Sequence, residues 1–280
     1  MLEVARLPDS RTRRSSNAAG HVILLVVCAL TIVPFYWMFA TSLRPANEIF
    51  NLAPLPSQPT LANYAYVFKA IPIGAMLATT LSNAVLQMLG QLLLATLTAY
   101  AFARWRFRGD TLLFLVFVGT WLVPFQVTMI PNYVLLSRLG WLDTLAALVI
   151  PHLGSAFGII LLRQYMKGFP RELIDAAHLD GASSWSILWR VVVPNLRAPL
   201  AAVAVLSFIT TWNEYFWPLL VTSRMERTVL QVGLQMFLTM EGDQWGGLMA
   251  GATLATIPLL AIYFILQRQV VDAFVRSGLR

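Results

Sequence analysis

The sequence predicts an all-α, polytopic membrane protein with six transmembrane helices. Hydrophobic residues make up 58% of the 280 positions, and only 12% of the positions are charged. A soluble domain carries about 25% charged residues, which it needs to cover its surface. Long apolar windows separate the charged positions, and each approaches the ~20 residues that a helix needs to cross a bilayer. The six windows lie at 22–43, 75–102, 111–133, 144–162, 198–221 and 245–266.

The distribution of basic residues predicts the orientation of these helices, because cytoplasmic loops are enriched in Lys and Arg. Fifteen of the twenty basic residues fall in the two termini, in the loop after the second window, and in the long segment before the fifth. The opposite loops hold the other five, which are Arg44, Lys69, Arg138, Arg224 and Arg227. Both termini are therefore predicted to be cytoplasmic, and the net charge of +7 reflects topology rather than binding to nucleic acid.

The predicted organisation is a single membrane domain over 22–270, with tails at 1–21 and 271–280 and a cytoplasmic loop at 166–197. The first window follows Arg13 and Arg14, as a signal peptide would, but it exceeds a typical signal-peptide core and lacks a good cleavage site. We therefore interpret it as a span. A proline-rich loop precedes the second window, and Asn63, Tyr64 and Phe68 predict a short interfacial helix there.

The segment from Glu172 to Pro194 is polar, although apolar spans flank it on both sides. Lys167 and Gly168 predict the end of the preceding helix, and Pro170 suits the first turn of a new one. Glu172 and Asp175 place negative charge near that helix start, where it is stabilised by about 0.3–1 kcal/mol each. Gly181, which follows Asp180, predicts that the helix ends with a residue in the left-handed backbone conformation. Ser183 or Ser184 then caps a second helix, which Pro194 is predicted to end.

Two short helices joined at a glycine form a compact knob. Ala176 and Ala177 on one face allow a partner to approach the backbone closely. An amphipathic helix lying on the membrane surface is the alternative, but anionic lipid would favour basic residues over the acidic ones found here.

This segment resembles the EAA loop of the permeases of ABC importers. The motif of that loop is E-A-A, followed by three residues, a Gly, nine further residues and I-x-L-P. The same spacing is present here in Asp175-Ala176-Ala177, Gly181, Val191, Val193 and Pro194. Asp replaces the Glu of the motif, and Val replaces its Ile and Leu. Further short motifs resemble carbohydrate-type permeases of the maltose and glycerol-phosphate importer group. They include Val123-Pro124-Phe125-Gln126-Val127, Ile130-Pro131, Trp212-Asn213-Glu214 and Trp217-Pro218-Leu219.

The resemblance implies the type I ABC importer permease fold in a bacterial inner membrane. It also implies a second permease subunit, two cytoplasmic ATPase subunits and an extracytoplasmic solute-binding protein. Glu172, Asp175, Ala176, Ala177, Asp180, Gly181 and Pro194 would then couple the chain to an ATPase. The sequence lacks the G-x-x-x-x-G-K-[ST] phosphate loop. We therefore expect no enzyme activity and no cofactor in this chain, with ATP and Mg²⁺ on the partner ATPase.

Two sets of residues are candidates for the path of a sugar or sugar-like solute. Glu214 is the only acidic residue inside a predicted span, where a carboxylate is costly unless it faces water or a partner. Trp212, Asn213 and Tyr215 surround it, but Glu214 and Asn213 are alternatively structural. The second set is Asn83 and Gln87, one helical turn apart, which alternatively hydrogen-bond across helices.

Two other classes of protein remain as alternatives. A secondary carrier needs a charged relay inside the membrane, and the spans offer only Glu214. An integral membrane enzyme needs clustered catalytic groups, whereas polar residues are scattered here. Neither alternative explains the Glu172 to Pro194 segment. No metal site is predicted, and His152 is interpreted as a packed histidine.

Overall fold

The computed structural model describes residues 10–239 and 244–277, so the predicted tails fall partly outside it. All regular structure within these ranges is helical. The α-helices are α1 Ser10–Ser42, α2 Ala62–Ala70, α3 Ile73–Arg104, α4 Asp110–Leu122, α5 Phe125–Arg138, α6 Leu145–Val149, α7 Ala156–Lys167, α8 Arg171–Leu179, α9 Ser184–Ile187, α10 Val193–Asn195, α11 Arg197–Trp212, α12 Phe216–Val221, α13 Leu230–Thr239 and α14 Trp245–Ser277. The short helix expected around Asn63 and Phe68 is present as α2.

Three helical segments are long and apolar enough to cross a membrane: Gly20–Ser42 in α1, all of α3, and Trp245–Ile265 in α14. Three helix pairs meet the same test only when taken together. The angle between the two helices is 95° for α4 and α5. It is 46° for Leu145–His152 and α7, and 82° for Ser184–Asn195 and α11. The described residues therefore provide up to six spans, three of them broken.

The helical run that begins at Ser184 ends at Asn195, one residue beyond the end predicted at Pro194. Pro194 lies inside α10, and the chain continues from α9 through a π-helical turn at Leu188–Val192 before the break at Leu196. The amide of Val193 bonds to the carbonyl of Leu188, five residues back. A proline near the start of a helical turn loses no hydrogen bond that it would otherwise make.

The fifth apolar window is also not one helix. It contains α11 and α12, separated by Asn213, Glu214 and Tyr215. The side chain of Asn213 donates to the carbonyl of Ile209 at 2.8 Å, which helps to terminate α11. This break places Glu214 at a junction between two helices rather than within one.

The centre of the bundle is α3, which packs against α7 and α11, while α14 packs against α11, α1 and α2. Gly158 marks a close approach of three helices within this centre. A Cβ atom at this position would lie 3.1 Å from the Ala95 Cβ of α3 and 3.3 Å from a methyl of Val203 in α11. Larger side chains at Gly158 would therefore separate three helices at once.

We expect Gly158→Leu to destabilise the protein by about 1–3 kcal/mol, the usual cost of overpacking a filled core. The measurement is the thermal unfolding midpoint of the purified protein in detergent. Gly119→Leu in α4 is the matched control, since a Cβ at Gly119 meets nothing within 4 Å. Equal midpoints for the two variants would show that the α3–α7–α11 contact is looser than described.

In the loops at the end of the bundle opposite to α8, charged side chains make hydrogen bonds to the backbone. Arg44 is fully buried, and its guanidinium donates to the carbonyls of Glu48, Asn51 and Ala53. In the loop between α5 and α6, Asp143 has a φ of 58°. Its carboxylate accepts from the amides of Arg224 at 3.0 Å and Ser223 at 2.6 Å. These hydrogen bonds lower the pKa of the Asp143 carboxyl below its usual range.

Candidate functional site: an exposed knob and a cleft between helices

Residues 168–183 form a knob that consists of α8 and the turn after it. The preceding helix α7 ends at Lys167, and Pro170 immediately precedes α8. Gly181 has a φ of 78°, as expected for a left-handed helix end. The Gly181 amide donates to the carbonyl of His178 at 3.0 Å, and the Ala182 amide donates to that of Ala177 at 2.9 Å. This pair of hydrogen bonds is a Schellman motif, which fixes the shape of the turn.

The inner side of the knob is anchored in the hydrophobic core. Ile174 is 1% exposed and belongs to one cluster with Ile187 and Leu188, which follow the turn. The same cluster contains Ala99 of α3 and Leu162 of α7. The inner side of the knob therefore packs directly against the two helices at the centre of the bundle.

The outer side of the knob is exposed and mixes apolar with acidic side chains. Leu179 is 90% exposed and Leu173 is 49% exposed. The carboxylates of Glu172, Asp175 and Asp180 are exposed too, and no hydrogen bond or ion pair involves them within the described part of the chain. Ala176 is exposed between them, and Ala177 is half-buried. The outer side of the knob therefore has both apolar and charged side chains that the rest of the described chain leaves uncovered.

The second feature is a cleft of about 520 Å³ between α3, the α6–α7 break, α5 and α11. Gln87 and Gln91 contribute to its wall, and both lie near the middle of the 32-residue helix α3. Ser207 and Thr211 of α11 lie opposite, and Glu214 lies at the junction after α11. The cleft is therefore placed at mid-height of the longest described inner helix.

Two glutamines link the helices that surround this cleft. The Gln87 amide donates to the Leu148 carbonyl at 3.0 Å and accepts from Thr211 Oγ1 at 3.1 Å. One turn further along α3, Gln91 donates to the His152 carbonyl at 2.6 Å and accepts from Ser207 Oγ at 2.8 Å. These bonds hold α11 and the broken α6–α7 segment at fixed positions against α3.

Glu214 is engaged through only one of its two oxygens. Oε1 accepts from the Trp217 amide at 3.3 Å, which supports the first turn of α12. Oε2 accepts no hydrogen bond from any residue that the structure describes, and Glu214 is one of the residues that line the cleft. The side chain thus has one structural contact, to α12, and a second carboxylate oxygen that remains available to a ligand.

Of the six residues proposed for a solute path, Gln87 and Glu214 line the cleft. Asn83 is buried and receives a hydrogen bond from Gln87 at 3.0 Å. Trp212 is also buried, stacked on Phe208 with ring centroids 5.5 Å apart. Asn213 is exposed beside the end of α11, and Tyr215 packs edge-on against Phe216.

Several lining residues were not anticipated from the sequence. Gln91 continues the spacing of Asn83 and Gln87 by one more turn, so the helical repeat itself pointed to it. Trp121 and Phe157 come together at the cleft from different helices, with centroids 6.2 Å apart. No local pattern links these two residues, because the bends at 123–124 and 153–155 bring them together.

A helical membrane bundle with a cleft at mid-height, lined by aromatic and a few polar side chains, and with an exposed knob at one end fits a transport subunit. The chain belongs to the family of inner membrane components of binding-protein-dependent transport systems, whose family model matches residues 12–276. Membership implies that a separate solute-binding protein works with the chain.

Individual relatives cover nearly the whole chain. The lactose transport system permease protein LacG of Rhizobium radiobacter is 30% identical over 265 residues, covering 95% of this chain and 97% of the relative. The sn-glycerol-3-phosphate transport system permease protein UgpE of Yersinia enterocolitica is 30% identical over 275 residues, covering 95% and 98%. A crystal structure of a bacterial ABC transporter that imports the acidic polysaccharide alginate contains a chain with a TM-score of 0.80 and 25% identity, covering 94% of this chain and 99% of that one.

Proposed function

We propose that this chain is one permease subunit of an ABC importer for a sugar or sugar-like solute and that the α8 knob couples it to a cytoplasmic ATPase. The observation that carries the proposal is the knob itself, with a turn fixed by two hydrogen bonds, a buried inner side and an exposed outer side. The named functions of the relatives support the class of solute. The Glu172 to Pro194 segment lies at one end of the bundle, as an ATPase-binding element requires.

In this proposal the cleft beside Gln87 and Glu214 is this chain's part of the translocation path. A second permease subunit, different from this chain, forms the other part, and two ATPase subunits bind ATP and Mg²⁺. The distribution of basic residues supports a cytoplasmic position for the knob and both termini. Closure of the ATPase pair would move the knobs, and the buried cluster around Ile174 would transmit that movement to α3 and α7.

The test is solute uptake by the native complex, purified with its partners and reconstituted in proteoliposomes with its binding protein. We expect uptake only when ATP is supplied on the knob side. Uptake driven by an ion gradient without nucleotide would contradict the proposal and favour a secondary carrier. Purification of the chain without any ATPase subunit, under conditions that keep the bundle folded, would contradict it as well.

The exposed side of the knob provides a sharper comparison. Leu179→Ala removes a side chain that has little contact with the rest of the chain, so we expect an unchanged thermal midpoint. We also expect the ATPase to dissociate more readily, because burial of a leucine at an interface contributes about 1.5–3 kcal/mol. The measurement is the fraction of ATPase that remains bound during gel filtration. Leu52→Ala, an 83% exposed leucine in the loop after α1, is the matched control.

A further inference from the structure

Resting on the proposed function, we propose that the cleft takes an uncharged, polyhydroxylated ring solute and discriminates against anionic solutes. The relatives alone do not separate these classes, because lactose is neutral whereas glycerol 3-phosphate and alginate are anionic. The side chains of this particular cleft do separate them.

The charge of the cleft is the first observation. Among its described lining residues, Glu214 is the only charged side chain, and neither Lys nor Arg is present. The nearest basic residue along α7 is Arg163, two helical turns beyond Ser155, and its guanidinium lies over the Phe114 ring at 3.7 Å from the centroid. An anion in the cleft would therefore meet a carboxylate and no Lys or Arg among the described lining residues, of which His152 is the only other titratable one.

The hydrogen-bonding groups of the cleft fit hydroxyls. An ionised carboxylate is an acceptor only, and the Oε2 atom of Glu214 is open, so it suits a hydroxyl donor. The amides of Gln87 and Gln91 are already bonded to protein groups. Gln87 uses both of its N–H groups, on Asn83 and Leu148, so of these two glutamines only Gln91 keeps one N–H without a partner among the described residues. A sugar hydroxyl can accept from that single N–H, whereas a phosphate or carboxylate would need several donors or a cation.

The aromatic side chains of the cleft fit the apolar face of a sugar ring. Trp121 and Phe157 lie at 46° to each other, with both rings among the lining residues. A pocket with ring faces and a small number of polar groups is the usual composition of a site for a small organic ligand. Together with the open carboxylate oxygen, this composition defines a site for a neutral sugar rather than a phosphate or uronate.

The field in the cleft is measured by introducing a thiol, Thr210→Cys, into a Cys28→Ser background in the purified complex. Thiosulfonate reagents of equal size and opposite charge are applied, and labelling of this chain is followed by mass spectrometry. We expect the cationic reagent to react faster than the anionic one. The ratio of the cationic to the anionic rate should fall roughly tenfold when Glu214→Gln is added, because this substitution removes one charge at close range. Glutamine keeps an oxygen that accepts from the Trp217 amide, so the fold is retained.

Glu226→Gln, which neutralises an exposed acid outside the cleft, is the matched control and should leave the ratio unchanged. A ratio that Glu214→Gln leaves unchanged would overturn the proposal. The solute class is tested separately by thermal shift of the partner binding protein with lactose, maltotriose, glycerol 3-phosphate and alginate oligosaccharides. Stabilisation by neutral sugars is expected, and stabilisation only by the anions would overturn the proposal. Both results are independent of ATP-driven uptake, whose absence would instead refute the proposed function.

Discussion

Gly181→Trp should leave the protein folded in the membrane but reduce ATP-coupled uptake by at least about tenfold. Gly181 has a φ of 78°, a conformation that costs a residue with a Cβ about 1–2 kcal/mol. The space around it is open, since a Cβ there meets nothing within 4 Å. The indole would therefore project from the knob into the space that a docked ATPase would occupy. Uptake and retention of the ATPase during purification are the measurements.

Gly140→Trp is the matched control for this substitution. Gly140 also has a positive φ, 67°, and open space around its Cβ, but it lies in the loop after α5 rather than in the knob. The two variants carry a similar backbone strain, and only one alters the proposed ATPase contact. Normal uptake by Gly181→Trp would contradict the coupling role of the knob, as would an equal loss of uptake in both variants.

Ile174→Asp should detach the knob from the bundle. The side chain of Ile174 is 1% exposed, within a cluster that reaches α3 and α7. An unpaired carboxylate at such a position costs several kcal/mol, because no cation or hydrogen-bond donor replaces its water. We expect rapid cleavage of the 168–183 segment by protease and loss of coupled uptake, with the ATPase hydrolysing ATP without transport.

The neighbouring substitution Leu173→Asp separates this effect from the added charge. Leu173 is half exposed on the outer side of α8, so a carboxylate there keeps its water. We expect the 168–183 segment to resist protease as in the wild type. Equal protection of the segment in both variants would show that α8 does not depend on the Ile174 contact.

The sequence predicted the parts of the fold that depend on local chemistry. The turn at Gly181, the helix end at Lys167 and the short helix α2 each follow from residues adjacent to them. The helix end predicted at Pro194 lies within one residue of the observed end at Asn195, but no residue of the local sequence signals the π-helical turn before it. The bends at Val123 and Leu196 decide which helices are broken. Pro124 stands beside the first bend, and Asn195 and Arg197 flank the second, but these residues do not reveal how far the chain turns.

The candidate solute path was harder to predict, because its residues are brought together by tertiary packing. Glu214 was singled out because a carboxylate in an apolar window is unusual, and it lies at the cleft. Trp212 looked equally available in the sequence, yet its ring is stacked against Phe208 in the core. An aromatic residue in a membrane helix gives no local indication of whether it faces a cavity or a neighbouring helix.

The central claim is that the knob is the surface on which the ATPase acts. The most direct measurement is site-specific photo-cross-linking in the native complex, with the reactive side chain placed at Leu179 or, as a control, at Leu52. Both positions are strongly exposed, but they lie in the knob and in the loop after α1, respectively. The account predicts an adduct with the ATPase subunit from position 179 alone. No ATPase adduct from position 179, in a complex that imports its solute, would contradict it.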